Sequence, residues 1–212
     1  MDVERAESRL RNIENVRPIL AALRTISMSS WQMARNRRAF PQRYEQHLAE
    51  LLPSVLLRYE ADAGRGRSTR ARPKVKVGPS KKQRTQRVVV MVVGSERGLC
   101  GGYNKMLVGC LQAAMRERYA DGATVEIMGL GSRAIRELRS AGYVLSWTGT
   151  LSMTAVPNYA SALAAVTEWL RRYEDYAIDA VDVIYNSDRG TGTYEPTVTR
   201  LIPTELPVGC GA

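Results

Sequence analysis

The sequence predicts an α/β protein: a small, mainly parallel sheet domain preceded by a long N-terminal helix of coiled-coil type. Three observations predict it. Apolar residues recur at alternating spacings of four and three through the N-terminal part of the chain. Strand-like and helix-like segments alternate from Val88 onward. Between these two patterns lies a basic stretch containing Gly and Pro.

Residues 3–58 read as helical. Ile19, Leu23, Ile26, Ser30, Met33, Arg37, Phe40 and Tyr44 fall on one stripe, and Leu48, Leu51 and Val55 roughly continue it. Ser30 and Arg37 are polar, so the stripe is not a dry coiled-coil seam. Pro18, Pro41 and Pro53 each lack a backbone donor, which predicts a kink or break at each. A 50-residue helix reaches about 75 Å at 1.5 Å per residue. A stripe that long cannot be buried against a domain of roughly 125 residues alone. A second long helix or a partner protein is required.

Between Arg65 and Arg87 there are ten basic residues and no acidic one: Arg65, Arg67, Arg70, Arg72, Lys74, Lys76, Lys81, Lys82, Arg84 and Arg87. Ten taken from the net charge of +10 leaves the remainder of the chain balanced. Gly66, Pro73, Gly78 and Pro79 interrupt the segment and no apolar face recurs, so it reads as a linker, partly disordered before binding. It suits a solvated tether, or a contact with anionic lipid or an acidic partner. Nucleic acid is disfavoured, because no aromatic residues are interleaved to stack on bases. The domain boundaries follow as 1–60 for the helix, 61–87 for the basic linker and 88–212 for the α/β domain.

From Val88 the run Val-Val-Val-Met-Val-Val has the composition of a strand buried on both faces. A glycine-rich turn follows, then a helix over 103–119, a strand over 125–128 and a short helix over 132–140 ended by Gly142. A strand over 143–147 comes next, followed by an amphipathic helix over 159–173 with Leu163, Val166 and Leu170 inward. Strands over 180–185 and 194–202 complete the domain. The alternation implies a Rossmann-like sheet with right-handed crossovers.

Composition excludes several functions. His47, the single histidine, sits at helical spacing from Tyr44 and Leu51, as an ordinary helix-surface residue does, so chemistry that needs a histidine is disfavoured. Cys100, Cys110 and Cys210 form neither a disulfide framework nor a zinc-ligand cluster, which points to a reducing compartment. Cys100 reads as a small buried thiol in a tight turn, and Trp31, Trp147 and Trp169 as core or interface anchors. No apolar run approaches the ~20 residues of a membrane span, and the charged N-terminus has no secretory pattern.

The most distinctive segment is Gly94-Ser-Glu-Arg-Gly-Leu-Cys-Gly-Gly-Tyr-Asn104. Its spacing matches neither phosphate-binding fingerprint, GxGxxG or GxxxxGK[ST], so no cofactor and no metal are implied. The glycines instead suit a tight turn and close helix-sheet packing. Ser95, Glu96, Arg97, Gly98, Leu99, Cys100, Gly101, Gly102, Tyr103 and Asn104 together resemble the S-[DE]-R-G-L-C-G-G-[YFL]-N signature of the gamma subunit of F-type ATP synthases. Looser resemblances run along the chain at Arg9–Arg17, Met33–Arg38, Pro41–Tyr44, Ile127–Arg133, Tyr185–Ser187 and Pro196–Pro203. Leu23 stands where that family has a methionine, and Pro18 where it has a lysine.

The resemblance implies a non-catalytic rotor subunit, CF(1)-type, in the central stalk of a proton- or sodium-translocating ATP synthase. It would be peripheral on the cytosol-facing side of an energy-transducing membrane. Implied partners are catalytic alpha/beta-type subunits, an epsilon-type stalk subunit and the membrane ring. Ile19, Leu23, Ile26, Met33 and Arg37 would face the catalytic ring. In that family a long C-terminal helix pairs with the first to form the shaft, whereas this sequence ends at Pro203-Thr-Glu-Leu-Pro-Val-Gly-Cys-Gly-Ala212. Either a paralogue that borrows a helix or an incomplete sequence would account for that. The alternatives are a basic α/β nucleic-acid-binding protein, a nucleotide-dependent enzyme using the glycine-rich turn, and an assembly or regulatory protein of the same family without rotary function.

Overall fold

The computed structural model describes residues 2–65, 85–119, 122–152, 159–190 and 192–204. The chain divides into two units at Arg58, one helical and one built around a sheet.

Helix α1 runs from Asp2 to Arg65 without interruption. At 64 residues it extends about 96 Å. Pro18, Pro41 and Pro53 lie inside it, so the expectation that they break the helix does not hold. Each proline deletes one ladder bond, and the long intact helix on either side keeps the element whole.

The second unit follows the order β1 (Arg87–Val93), α2 (Tyr103–Glu117), β2 (Thr124–Leu130), α3 (Ser132–Ser140), β3 (Trp147–Gly149), α4 (Tyr159–Glu174), β4 (Ala180–Gly190) and β5 (Thr193–Ile202). The strands lie in the order β3-β2-β1-β4-β5. β1 is parallel to both β2 and β4, β2 is parallel to β3, and β5 alone is antiparallel, against β4.

β1 is central, and its residues alternate between two apolar layers. Val88, Val90 and Val92 pack with Leu107 and Leu111 of α2 and Leu138 of α3. Val89 and Met91 face the other side with Met128, Val181 and Trp169 of α4. A strand covered on both faces has to be apolar at every position, which accounts for the unbroken run.

Two local expectations are corrected. Leu163, Val166 and Leu170 are exposed at 49%, 36% and 45%, while Trp169 is buried at 7% with Ala165 and Tyr173 beside it. Burying the indole removes more apolar area from water than a leucine would. The ion pair from Arg172 Nη2 to Glu126 Oε2, 2.6 Å, holds the helix in that rotation. The third strand begins at Trp147, not Tyr143. Tyr143 and Leu145 pack against the first layer from the connecting segment, so their alternation marks burial without strand pairing. Of the other tryptophans, Trp31 and Trp147 are exposed.

One buried charge sits near the start of β4. Asp182 is fully buried; it accepts from Tyr119 Oη at 2.5 Å, from Arg200 Nη2 at 3.0 Å and from Arg200 Nε. Tyr119 lies just past the end of α2, so the cluster ties that helix end to β4 and β5. Burial, and then the bond to Asp182, push the Tyr119 phenol well above its usual range. Removing the cation leaves a buried carboxylate uncompensated. Arg200→Met is expected to cost about 2–3 kcal/mol, less than the 3–5 of a fully enclosed pair because Arg200 is partly exposed. Glu195→Gln in the exposed pair with Arg189 should cost under about 0.5 kcal/mol. Urea unfolding of the two variants checks the difference.

Candidate functional site

The glycine-rich turn leaves the carboxyl end of β1, the sheet edge where open α/β folds bind ligands. Its first constraint is steric. A Cβ on Gly94 would sit 2.4 Å from Ala134 Cβ and 2.5 Å from Asn104 Oδ1. A Cβ on Gly131, whose φ is +101°, would sit 2.7 Å from the Gly94 carbonyl oxygen. The loops after β1 and β2 therefore meet backbone to backbone.

The turn's two ends clasp each other. The Ser95 N–H donates to Asn104 Oδ1 at 3.0 Å, and Asn104 Nδ2 donates to Ser95 Oγ at 2.9 Å. Ser95 Oγ donates in turn to the Arg97 carbonyl at 2.9 Å. The Cys100 thiol is half-buried and faces the carbonyls of Arg97 and Gly98 at 3.4 Å each. Arg133 spreads its guanidinium over Gly98, where a Cβ would lie 3.3 Å from Nη2. Leu99 has φ +63° and is 89% exposed at the tip, beside exposed Gly101 and Gly102.

Glu96 closes the edge. Its carboxylate accepts from the Ser132 N–H at 3.0 Å, from the Ser132 hydroxyl and from the Leu151 N–H at 3.0 Å. The loops after β1, β2 and β3 are thereby joined. Ser132 opens α3, and a helix N-terminus with free N–H groups is an anion site. The chain's own carboxylate takes that place. The Leu151 N–H, and then the Ser132 hydroxyl and N–H, hold the Glu96 carboxyl below its ordinary 4.5.

Tyr103 and Asn104 extend the turn into the domain. Asn104 is buried at the start of α2, and the Tyr103 carbonyl accepts from Asn186 Nδ2 at 3.0 Å. The Tyr103 ring lies 4.9 Å from that of Tyr194, tilted by 60°. Burial pushes the Tyr103 phenol up, and likewise the Cys110 thiol on α2. Among the described residues no cluster of three or more His, Cys, Asp or Glu could hold a metal.

A second candidate surface is α1. Ile19, Leu23, Ile26 and Met33 are all exposed, and so are Leu20, Met28 and Trp31 outside the stripe. Arg37 is exposed as well, and Arg35 lies 5.0 Å over the Trp31 ring. From Glu14 to Glu45 the helix carries Arg17, Arg24, Arg35, Arg37, Arg38 and Arg43 with no intervening acid. The rest of the chain balances overall, yet this band does not.

The basic segment divides differently from its sequence. Arg65 ends α1, and Arg87 opens β1, where its N–H donates to Asp179 Oδ2 at 2.8 Å. The Arg87 side chain also bonds Asp179 and the Tyr176 carbonyl, so it belongs to the domain and is not a linker charge. Arg67, Arg70, Arg72, Lys74, Lys76, Lys81, Lys82 and Arg84 lie outside the described residues.

A family model described as ATP synthase matches residues 2–208. The ATP synthase gamma chain of Geobacter sp. (strain M21) is 28% identical over 205 residues, covering 96% of this chain and 66% of that one. The chain belongs to the ATP synthase gamma family. The gamma chain of Geotalea daltonii is 25% identical over 201 residues, covering 95% of this chain and 65% of that one. The chain therefore spans just under two thirds of the length of these relatives. A chain of the central stalk/c-ring structure of Tetrahymena thermophila mitochondrial ATP synthase is similar at 18% identity and a TM-score of 0.45, covering 71% of this chain and 58% of that one.

In this family member the signature is a structural joint closed by its own side chains. The sequence reading missed Glu96 as the closing group; its signal was an acid after β1 and a Gly-Ser helix start after β2. Glu96→Gln should lower the melting temperature at neutral pH. A carboxyl with a depressed folded pKa stabilises above its unfolded value, and that contribution is lost as pH falls through the folded one. The gap between wild type and Glu96→Gln should therefore shrink as pH drops below 4.5, which thermal melts followed by circular dichroism would show.

Proposed function

We propose that this chain is a rotor subunit of the central stalk of an ATP synthase. In this reading it couples ion translocation through a membrane ring to ATP synthesis or hydrolysis at a catalytic ring. The observation that carries the proposal is α1, one 64-residue helix whose large apolar side chains stay exposed from Val3 to Leu51. Burying each such side chain is worth about 1.5–3 kcal/mol, so a partner along the whole helix is strongly favoured.

The chain performs no bond chemistry in this role. Its effect on catalysis rests on differential contact, since a shaft that touches every catalytic site equally shifts nothing. Ile19, Leu23, Ile26 and Met33 supply apolar contact, and Arg37, within the arginine band, supplies direction through charge. The arginines suit a partner surface rich in carboxylates, the chemistry proposed for the alpha/beta-type ring.

In the same proposal the α/β domain meets the membrane ring and an epsilon-type subunit. No described helix is long and apolar enough to cross a membrane, so attachment is peripheral in this proposal. Contact of the segment 65–87 with anionic lipid belongs to the same proposal and rests on its charge.

The test is reconstitution of the full chain with the catalytic subunits of its ATP synthase. Intact complexes of catalytic ring plus this chain are expected by native mass determination. Leu23→Asp with Ile26→Asp should weaken that association at least about tenfold while leaving the melting of the α/β domain unchanged. A chain that stays free of the catalytic subunits would sink the proposal.

A further inference from the structure

Charge pairing divides the α/β domain into two unlike sides. On β1, α4, β4 and β5, every arginine has a carboxylate partner: Arg87 with Asp179, Arg171 with Glu168 and Asp175, Arg172 with Glu126, Arg189 with Glu195, and Arg200 with Asp182. On α2 and α3 the opposite holds. Lys105, Arg116, Arg136 and Arg139, with Arg118 at the end of α2, make no ion pair among the described residues. These two helices cover the same side of the sheet, where Leu107, Leu111 and Leu138 join one apolar layer.

A second observation falls on the same surface. Gly109 lies in the interior of α2, exposed, and a Cβ there would meet nothing within 4 Å. No internal contact and no left-handed backbone calls for glycine, although glycine weakens a helix interior relative to alanine. Lys105, Gly109, Gln112 and Arg116 follow at steps of four, three and four, so they form one outward stripe. The missing side chain leaves bare backbone between the two cations, room for a partner's side chain to approach closely.

We infer that the outer face of α2 and α3 is a docking surface for an acidic protein, with Gly109 as the point of closest approach. Arginines outnumber lysines there four to one, and guanidinium forks bind carboxylates with two parallel bonds. Glu117 and Glu137 stand among the cations. An anionic lipid surface would be repelled by both, whereas a protein can place a cation opposite each. The inference rests on the α/β domain alone and stands whether or not α1 enters a catalytic ring.

Lys105 is a built-in reporter, the one lysine outside Lys74–Lys82. Treating the native complex with a zero-length carbodiimide should join Lys105 to an aspartate or glutamate of another chain, as mapped by mass spectrometry. Gly109→Gln should raise the melting temperature of the isolated chain and yet lower the yield of that crosslink at least fivefold. Arg136→Glu with Arg139→Glu should abolish the crosslink. A crosslink found only within the chain, or one indifferent to Gly109→Gln, would overturn the inference. So would binding of the isolated chain to vesicles of equal parts phosphatidylcholine and phosphatidylglycerol that the double variant loses, since the occupant would then be lipid.

Discussion

The domain depends on one close approach. Where Gly131 meets the Gly94 carbonyl, there is no room for a side chain on either loop. That contact brings the turn after β1 directly over the start of α3, and only then can Glu96 reach both Ser132 and Leu151. The same approach seats Asn104 against Ser95, so the first and last residues of the signature close on each other. A sheet edge that in other α/β proteins is left open for a phosphate is here filled by a carboxylate and an amide. The glycine spacing that departs from phosphate fingerprints and the internal hydrogen bonding are two views of one constraint.

Legibility of the fold in the sequence followed the number of physical demands on each segment. β1 is readable because both faces are buried, which leaves a composition with no alternative. α3 is readable from its Gly131 start and its Gly142 stop, the latter at φ +87°. The rotation of α4 is not, because Leu163, Val166 and Leu170 present as good an apolar face as Ala165, Trp169 and Tyr173. The choice is made by one indole and by Arg172 finding Glu126, a residue 46 positions away. The same holds for Asp182, whose partners lie 63 and 18 positions distant. Periodicity records which side of an element is apolar; it carries no information about pairs that only the fold brings together. The signature turn was legible as a motif, but Glu96 as its closing group was hidden for the same reason.

Charge arithmetic behaves similarly. Assigning the net +10 to the segment 65–87 makes the remainder neutral, and the total is correct. Neutrality in sum nevertheless hides segregation in space. Arg17 to Arg43 form a band without acids on α1, and the exposed cations of α2 and α3 make no ion pair among the described residues, while the arginines of α4, β4 and β5 stand beside acids that neutralise them. Unpaired arginine on a folded surface is poorly used there, since its value lies in bidentate contact with an anion. Both unpaired regions are the surfaces to which partners are proposed, whereas the arginines of the paired side already hold carboxylates.

The two units differ in what they lack. Among the described residues the α/β unit pairs its buried carboxylate and closes the loops after β1, β2 and β3 on itself; the helix leaves the described large apolar side chains from Val3 to Leu51 exposed. In the proposed coupling role such a division has a physical reason, because a domain that passes on force must not deform internally. Asp182 illustrates the cost. A buried ion pair is a weak source of net stability compared with apolar packing of the same volume. It does penalise any shift that separates β4, β5 and the end of α2, because such a shift strands a charge. Geometry is enforced there at the expense of stability. The bonds of Glu96 enforce it again at the opposite edge of the sheet, where a stability optimum would not require three loops to be bound through one carboxylate.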